Sequence, residues 1–277
     1  MKTPSDIPQT APAAPSAPSP STHADPWTQL KGFTRARIAL GRVGSSLPTK
    51  EVLDFGLAHA MARDAVHLAL DTEALQLALE GQGNQVVQVQ SKAADRASYL
   101  LRPDYGRKLD DASVAKLEVM KAVASIDFLV VVGDGLSSLA VERHVQPLLA
   151  EIRKVTPAEW TTGPVVIASQ ARVAIADEIG EIMGARMVVM LIGERPGLSS
   201  PDSLGIYLTY NPKAGLSDAD RNCISNVRPE GLNYAAAAKK MKWLAREAMR
   251  LKVSGVALKD ESDVMEIDSS TMPKSIT

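Results

Sequence analysis

Cys223 is the only cysteine in the chain, in the string Arg221-Asn222-Cys223-Ile224-Ser225-Asn226, with a second arginine at Arg228. Nearby positive charge favours a thiolate, the nucleophilic form. No histidine stands beside it to act as a base, so the residue reads as a small packing thiol rather than a nucleophile. Glu194 adjoins Arg195 in a loop bounded by Gly193 and Gly197. It is either half of a surface ion pair worth little, or a carboxylate held at the rim of a ligand site. A third string, Gly133-Asp134-Gly135-Leu136-Ser137-Ser138, follows an apolar run and precedes a helical pattern, as a dinucleotide-binding turn requires. The third glycine of that fingerprint is Ser138 here, and no acidic residue ends the next strand to hold a ribose. The alternative is a glycine turn that feeds a helix, capped by Ser137 or Ser138. His59, Arg63 and His67 fall at successive fourth positions of one helix, either a partner-contact surface or a solvated face. The four histidines are scattered, and a lone cysteine excludes both an internal disulfide framework and a cysteine-based zinc site.

The elements that must position these groups are legible from periodicity. Phe128–Val132, Val165–Ala168, Met187–Ile192 and Gly205–Tyr210 are apolar runs of strand length. Between the first two, Val141, Val145, Leu148, Ile152 and Val155 repeat at helical spacing; between the second and third, Ile175, Ile179 and Ile182 do so. Continuously apolar strands alternating with helices predict an α/β fold, a parallel Rossmann-like sheet covered on both faces. Ligands of open parallel sheets bind beyond the carboxyl ends of the strands. That rim is Gly133–Ser138, Ser169–Val173 and Gly193–Gly197, with residues 222–226 as a loop after the fourth strand. A last helix after Gly231 carries Ala237, Met241, Leu244, Ala248 and Leu251 on one face.

Before the sheet the pattern is helical. Pro48 and Thr49 open a long helix with Val52, Phe55, His59, Ala62 and Val66 as one buried stripe. Asp71 caps a second helix through Glu80, Gly81, Gly83 and Asn84 make a turn, and residues 85–89 form a short strand. Asp110 or Asp111 caps a further helix through Ala122. Residues 1–26 hold seven of the 17 prolines, separated mostly by Ala, Ser and Thr. Such a segment cannot bury enough apolar surface to offset its chain entropy and is expected to be a disordered tail. The expected organisation is therefore a tail over 1–26, a helical region over 27–122, an α/β domain over 123–252 and a frayed end over 253–277.

Composition bounds the function. The 277 residues are 45% hydrophobic and 23% charged, with a formal net charge of -1 and 4% aromatics. A nucleic-acid binder would be strongly basic or rich in stacking aromatics. The longest clean apolar run is far short of a membrane span. No catalytic triad, metal site or complete phosphate loop is visible. The residues alone leave three readings: a subunit with a binding rim, a nucleotide-binding enzyme using Gly133–Ser138, and a non-catalytic scaffold.

Longer strings narrow these. Thr34-Arg35-Ala36-Arg37-Ile38-Ala39-Leu40-Gly41-Arg42-Val43-Gly44, Ala62-Arg63-Asp64-Ala65-Val66 and Arg102-Pro103-Asp104-Tyr105-Gly106-Arg107 resemble the small subunit of ethanolamine ammonia-lyases. So do Val132-Gly133-Asp134-Gly135-Leu136-Ser137, Ile192-Gly193-Glu194-Arg195-Pro196-Gly197-Leu198 with Pro201-Asp202-Ser203-Leu204-Gly205, and Arg221-Asn222-Cys223-Ile224-Ser225-Asn226 with Arg228-Pro229-Glu230-Gly231-Leu232. The strings occur in order and span roughly residues 28–252. The resemblance implies an adenosylcobalamin enzyme that converts ethanolamine to acetaldehyde and ammonia by radical chemistry. It implies that ethanolamine and most of the chemistry belong to a large barrel subunit, and that this chain clamps the cofactor against it. The family's cobalamin-contacting positions fall on Val173, Glu194 and Cys223; none is catalytic and none ligates metal. No histidine here stands in an Asp-x-His-x-x-Gly pattern, so the cofactor is expected to keep its own base. The implied assembly is a hetero-oligomer with six copies of each subunit, in the cytoplasm or a bacterial microcompartment within it, with the tail as either an address or a functionless arm.

Overall fold

The apolar runs become strands, and two cores form on the faces of one sheet. The computed structural model describes residues 22–23, 25–34, 36–121 and 125–262. The expected tail before residue 22 and the acidic end after residue 262 lie outside the described residues. The chain divides into two compact units, Met1–Ala60 and Met61–Thr277.

In the first unit a two-residue pair, β1 (Thr22–His23) and β2 (Arg42–Val43), brackets a 3-10 segment over Pro26–Phe33. Asp25 caps that segment by accepting from the Trp27 amide at 2.9 Å, with Pro26 at the first position. Helix α1 (Thr49–His67) starts here and runs across the boundary between the units. The buried stripe expected along it is absent. Val52, Phe55 and His59 are exposed, Ala62 and Val66 are half-buried, and Ala65 alone is buried. Exposed apolar side chains recur through this unit, with Phe33 at 87% and Leu53 at 67%. Apolar residues at helical spacing therefore stay exposed here. His59, Arg63 and His67 are exposed, a solvated face.

The second unit holds the remaining elements: α2 (Thr72–Gly81), β3 (Val86–Gln90), α3 (Arg96–Leu101), α4 (Asp111–Met120), β4 (Ile126–Gly133), α5 (Ser138–Val155), β5 (Val165–Ser169), α6 (Ile175–Met183), β6 (Ala185–Gly193), β7 (Leu204–Tyr210), β8 (Asn222–Val227) and α7 (Tyr234–Leu251). The caps are those the sequence offers. Asp71, Asp95, Asp110, Ser137 and Asn233 each accept from a backbone amide in the first turn of the helix that follows. Strand order is β3-β5-β4-β6-β7-β8. The first four strands are parallel, and β7 and β8 are each antiparallel to the strand before. The all-parallel expectation is corrected at that edge. No helix lies between Gly193 and Leu204, and a parallel crossover needs one or its equivalent in length.

One core packs α5, α7 and α2 on the sheet; the other packs α4 and α6 on the opposite face. Val86–Gln90, placed with the helical region, pairs in register with Val165–Ser169 and is an edge of the same sheet. The chain after Lys252 stays packed as far as Leu258, which is buried and whose carbonyl, like that of Gly255, accepts from the Asn222 side chain. Among the described residues no helix is long and apolar enough to cross a membrane.

Candidate functional site

Four strands deliver their ends to one rim. β4, β5 and β6 end at Gly133, Ser169 and Gly193, and β8, running parallel to β6 two strands away, ends at Val227. Asp134 organises the first part of that rim. Its carboxylate is 2% exposed as a residue and accepts from three backbone amides: Gly135 at 2.9 Å, Gln170 at 3.0 Å and Ala171 at 2.8 Å. Arg96 reaches it at 3.4 Å. Burial pushes the Asp134 carboxyl up, while the amides and Arg96 pull it back. The loop so anchored leads directly to Val173.

Arg96 and Arg172 lie over Tyr99, at 4.6 Å and 4.2 Å from its ring centroid. The Tyr99 hydroxyl donates to the Ala171 carbonyl at 3.2 Å, and burial pushes its pKa up to about 12. This cluster was not legible in the sequence, because its members come from segments far apart in the chain.

The glycine turn at 133–138 is occupied by protein. Gly135 has φ +59°, and a Cβ there would stand 2.2 Å from the Gly193 carbonyl oxygen. A Cβ on Gly193 would stand 2.1 Å from the Ser137 oxygen. The Leu136 amide donates to Gly193 at 2.9 Å and the Gly135 amide to Asp134. Ser137 caps α5 and also donates to the Pro201 carbonyl at 2.9 Å; Ser138 donates to the Leu68 carbonyl at 2.8 Å. A phosphate cradle needs free amides and a backbone open to approach. Here the glycines serve close packing of two loops, which disfavours the dinucleotide reading.

Glu194, Tyr207 and Cys223 meet on the side of β7 and β8 that bears α6. The Asn222–Asn226 segment, expected as a loop, is strand β8, and Cys223 pairs opposite Tyr207. Only Ile224 and Val227 of this strand turn to the core, so its sequence looks like a polar loop. Cys223 is exposed, on the edge strand. Glu194 accepts from the Asn226 amide through both oxygens, at 3.3 and 3.2 Å. A Cβ on Gly205 would stand 3.2 Å from the Tyr207 ring and 3.3 Å from the Glu194 carboxylate, so both side chains flank that glycine. Val173 is half-buried at the entrance to α6 and packs against the same core as Tyr207. Glu194 and Cys223 are thus brought together, with Val173 on the same side of the sheet. Tyr207 and Gly205 are additions; an isolated glycine opening a strand was the available signal for the latter.

Surrounding protein pushes the Cys223 thiol up, the Tyr207 hydroxyl pulls it partly back, and the nearby Glu194 charge raises it further. The two arginines that suggested a thiolate are engaged elsewhere. Arg221 is bonded to Asp177 and Asp218, and Arg228 donates to the Asn226 side chain at 2.9 Å. Burial pushes the Tyr207 phenol up as well. Because the thiolate is the reactive form, iodoacetamide is expected to label Cys223 more slowly than free cysteine at pH 8, with the rise in rate displaced above the usual thiol value of about 8.5. A rate already on its plateau at pH 8 would contradict this. Among the described residues no group of three or more His, Cys, Asp or Glu side chains could hold a metal ion.

Beneath the site, Arg221 and Asp177 form an ion pair, 2% and 1% exposed by side chain, joining α6 to the start of β8. Arg221 also donates to the Leu216 carbonyl at 3.0 Å. Burial pushes the Asp177 carboxyl up and Arg221 pulls it down.

The family model described as ethanolamine ammonia-lyase light chain (EutC) matches residues 24–259. The chain is 56% identical over 249 residues to the ethanolamine ammonia-lyase small subunit of Pseudomonas syringae pathovar tomato, covering 89% of this chain and 87% of that one. It is 56% identical over 248 residues to the small subunit of a Pseudomonas fluorescens strain, covering 88% and 90%. A Pseudomonas putida small subunit is also 56% identical, over 251 residues, covering 90% and 92%. With the matched region holding the sheet, both cores and the Glu194–Cys223 face, the chain belongs to the ethanolamine ammonia-lyase light-chain family.

Proposed function

We propose that this chain is the cofactor-clamping subunit of an adenosylcobalamin-dependent ethanolamine ammonia-lyase, active only with a larger subunit that binds ethanolamine. The observation that carries the reading is the meeting of Glu194 and Cys223, two of the positions that the family resemblance assigns to cobalamin contact, beside Tyr207 on an edge-strand face that bears an exposed thiol. The chemistry of the face suits a corrin, a broad ring with apolar faces and amide side arms. Val173, the Tyr207 ring and the Cys223 thiol offer apolar contact, and Glu194 is an acceptor for an amide N–H. Adenosylcobalamin, when bound, supplies a cobalt–carbon bond whose homolysis starts the radical conversion to acetaldehyde and ammonia. This chain's residues bind and orient: Glu194 accepts, Gly205 leaves room, and Asp134 fixes the loop that carries Val173.

The larger partner is supported by the relatives' designation as small subunits and by the apolar surface of the first unit. Val52, Leu53, Phe55 and Leu57 are exposed on a single helix and supply apolar surface for such a partner. An assembly with six copies of each subunit, and a place in the cytoplasm or in a microcompartment, belong to the same proposal.

The test is co-expression with the larger subunit of the same enzyme. The expected result is a co-purifying complex that shows a cobalamin absorption spectrum after incubation with the cofactor and releases acetaldehyde from ethanolamine. A complex that assembles but takes up no cobalamin overturns the clamping role, and one that takes it up without releasing acetaldehyde overturns the activity.

A further inference from the structure

Between β7 and β8 the register slips by one residue. Leu204 pairs with Val227 and Ile206 pairs with Ile224, so Gly205 alone opposes both Ser225 and Asn226. This is a β-bulge, and bulges beside functional sites re-aim what the strand carries. The extra residue, Asn226, has φ +58°, the left-handed region that residues other than Gly, Asn and Asp seldom adopt. Its amide does not continue the ladder to β7. It turns to the Glu194 carboxylate, at 3.3 and 3.2 Å from the two oxygens.

The conformation is held from the other side as well. The Asn226 carbonyl accepts from the Leu232 amide at 2.9 Å, and its side-chain oxygen accepts from Arg228 Nε at 2.9 Å. A Cβ on Gly231 would stand 2.3 Å from the Asn226 carbonyl oxygen. Opposite the bulge, Gly205 has no side chain, and the Glu194 carboxylate and Tyr207 ring occupy the space beside it. A regular ladder would pair the amide with β7 or turn it to solvent, and Glu194 would lose its partner.

We propose that Asn226 is a positioning residue for cobalamin binding: its left-handed backbone, at the bulge opposite Gly205, aims an amide that fixes the Glu194 carboxylate beside Tyr207 and Cys223. The inference rests on the cofactor-clamping reading above. It goes beyond that reading because the determinant is a backbone conformation rather than a further side-chain contact, which makes an unusual prediction. Glycine, which keeps both the amide and the positive φ, should substitute for Asn226. Valine, whose branched Cβ resists that conformation, should not.

The complex with the larger subunit is titrated with hydroxocobalamin, and uptake is followed by absorbance, with assembly checked by size exclusion and folding by thermal melting. Asn226→Gly is expected to bind within about threefold of wild type, despite losing the bond to Arg228. Asn226→Val is expected to bind at least about tenfold more weakly, the factor that corresponds to forcing an L-residue into the left-handed region. Equal affinity in Asn226→Val and wild type overturns the proposal. So does equal weakening in glycine and valine, which would assign the effect to the side chain. If Asn226→Val does not assemble, Gly205→Ala decides. It keeps the bulge and presses on Glu194, so weaker uptake supports the proposal and unchanged uptake overturns it. Failure of the wild-type complex itself to take up cobalamin would instead overturn the clamping role.

Discussion

Asp134→Ala is expected to destabilise the chain by about 3 kcal/mol or more, and to weaken cofactor uptake by whatever chain remains folded. Three amides, on Gly135, Gln170 and Ala171, lose their acceptor at once, in a site that water reaches poorly. An unpartnered buried donor costs on the order of 1–3 kcal/mol, and the Arg96 guanidinium loses the Asp134 carboxylate. Asp134→Asn separates charge from geometry. One oxygen of the asparagine can still serve Gly135 and Ala171, but its amide nitrogen then faces the Gln170 N–H and Arg96, donor against donor. The asparagine variant is therefore expected to fall between wild type and alanine in chemical denaturation. The idea fails if asparagine matches wild type, for then the carboxylate's second acceptor is unimportant. It also fails if alanine shifts the midpoint by less than the equivalent of about 1 kcal/mol.

The second large effect is expected at Arg221. Replacing it with methionine keeps most of the volume and leaves Asp177 buried without its counter-ion. Breaking one member of a buried pair typically costs about 3–5 kcal/mol, because the orphaned charge must stay desolvated or take up a proton. The sign of the pH dependence follows. Burial already holds the folded-state Asp177 carboxyl above its unfolded value, which is near 4, and without Arg221 it rises further. The variant is then relatively most stable below that value. It loses stability as pH rises from there toward the raised folded pKa, and by more than the wild type does, because Arg221 offsets part of that loss. A double variant with leucine at Asp177 and methionine at Arg221 should recover much of the deficit, since two apolar groups replace two charges. Urea midpoints of wild type, Asp177→Leu, Arg221→Met and the double variant at two pH values close the cycle. If the double variant is no better than Arg221→Met, the loss lies in the shape of the 214–221 segment rather than in the unpaired carboxylate.

How much of this was legible varies with where the physical cause lies. Strands β4, β5 and β6 were plain because they are buried on both faces, and a doubly buried strand must be apolar throughout. The helix between β4 and β5 was plain for a related reason: Val141, Val145, Leu148 and Ile152 are all buried against one side of the sheet. β8 was hidden because an edge strand with one open face alternates, and Asn, Ser and Cys at its open positions resemble a loop. The direction of β7 could have been read from the lack of a helical pattern between Gly193 and Leu204. The α1 spacing predicts a buried stripe, yet Val52 and Phe55 are exposed, because helical spacing of apolar residues does not by itself say whether anything packs against them. For the site, Glu194 and Cys223 stand out by residue type and loop position, and their assignment to cobalamin contact comes from the family resemblance. Their meeting through Asn226 and Tyr207 depends on a one-residue slip in register, and nothing in the local composition except Gly205 announces it.

The outer side of β8 has a consequence for how the protein behaves at high concentration. A strand at the end of a sheet presents unpaired amides and carbonyls, which invite another molecule to add a strand and begin an aggregate. β8 is such an end among the described residues. The kink at Ser225 and Asn226 breaks the row of groups a newcomer would need, and Asn222 spends its side chain on the segment around Gly255–Leu258, which packs beside the strand's start. Only a few residues of regular edge remain between them. The irregularity that holds a carboxylate in place thus also blunts one edge of the sheet, and a variant that straightened β8 is expected to be less soluble even if it folded.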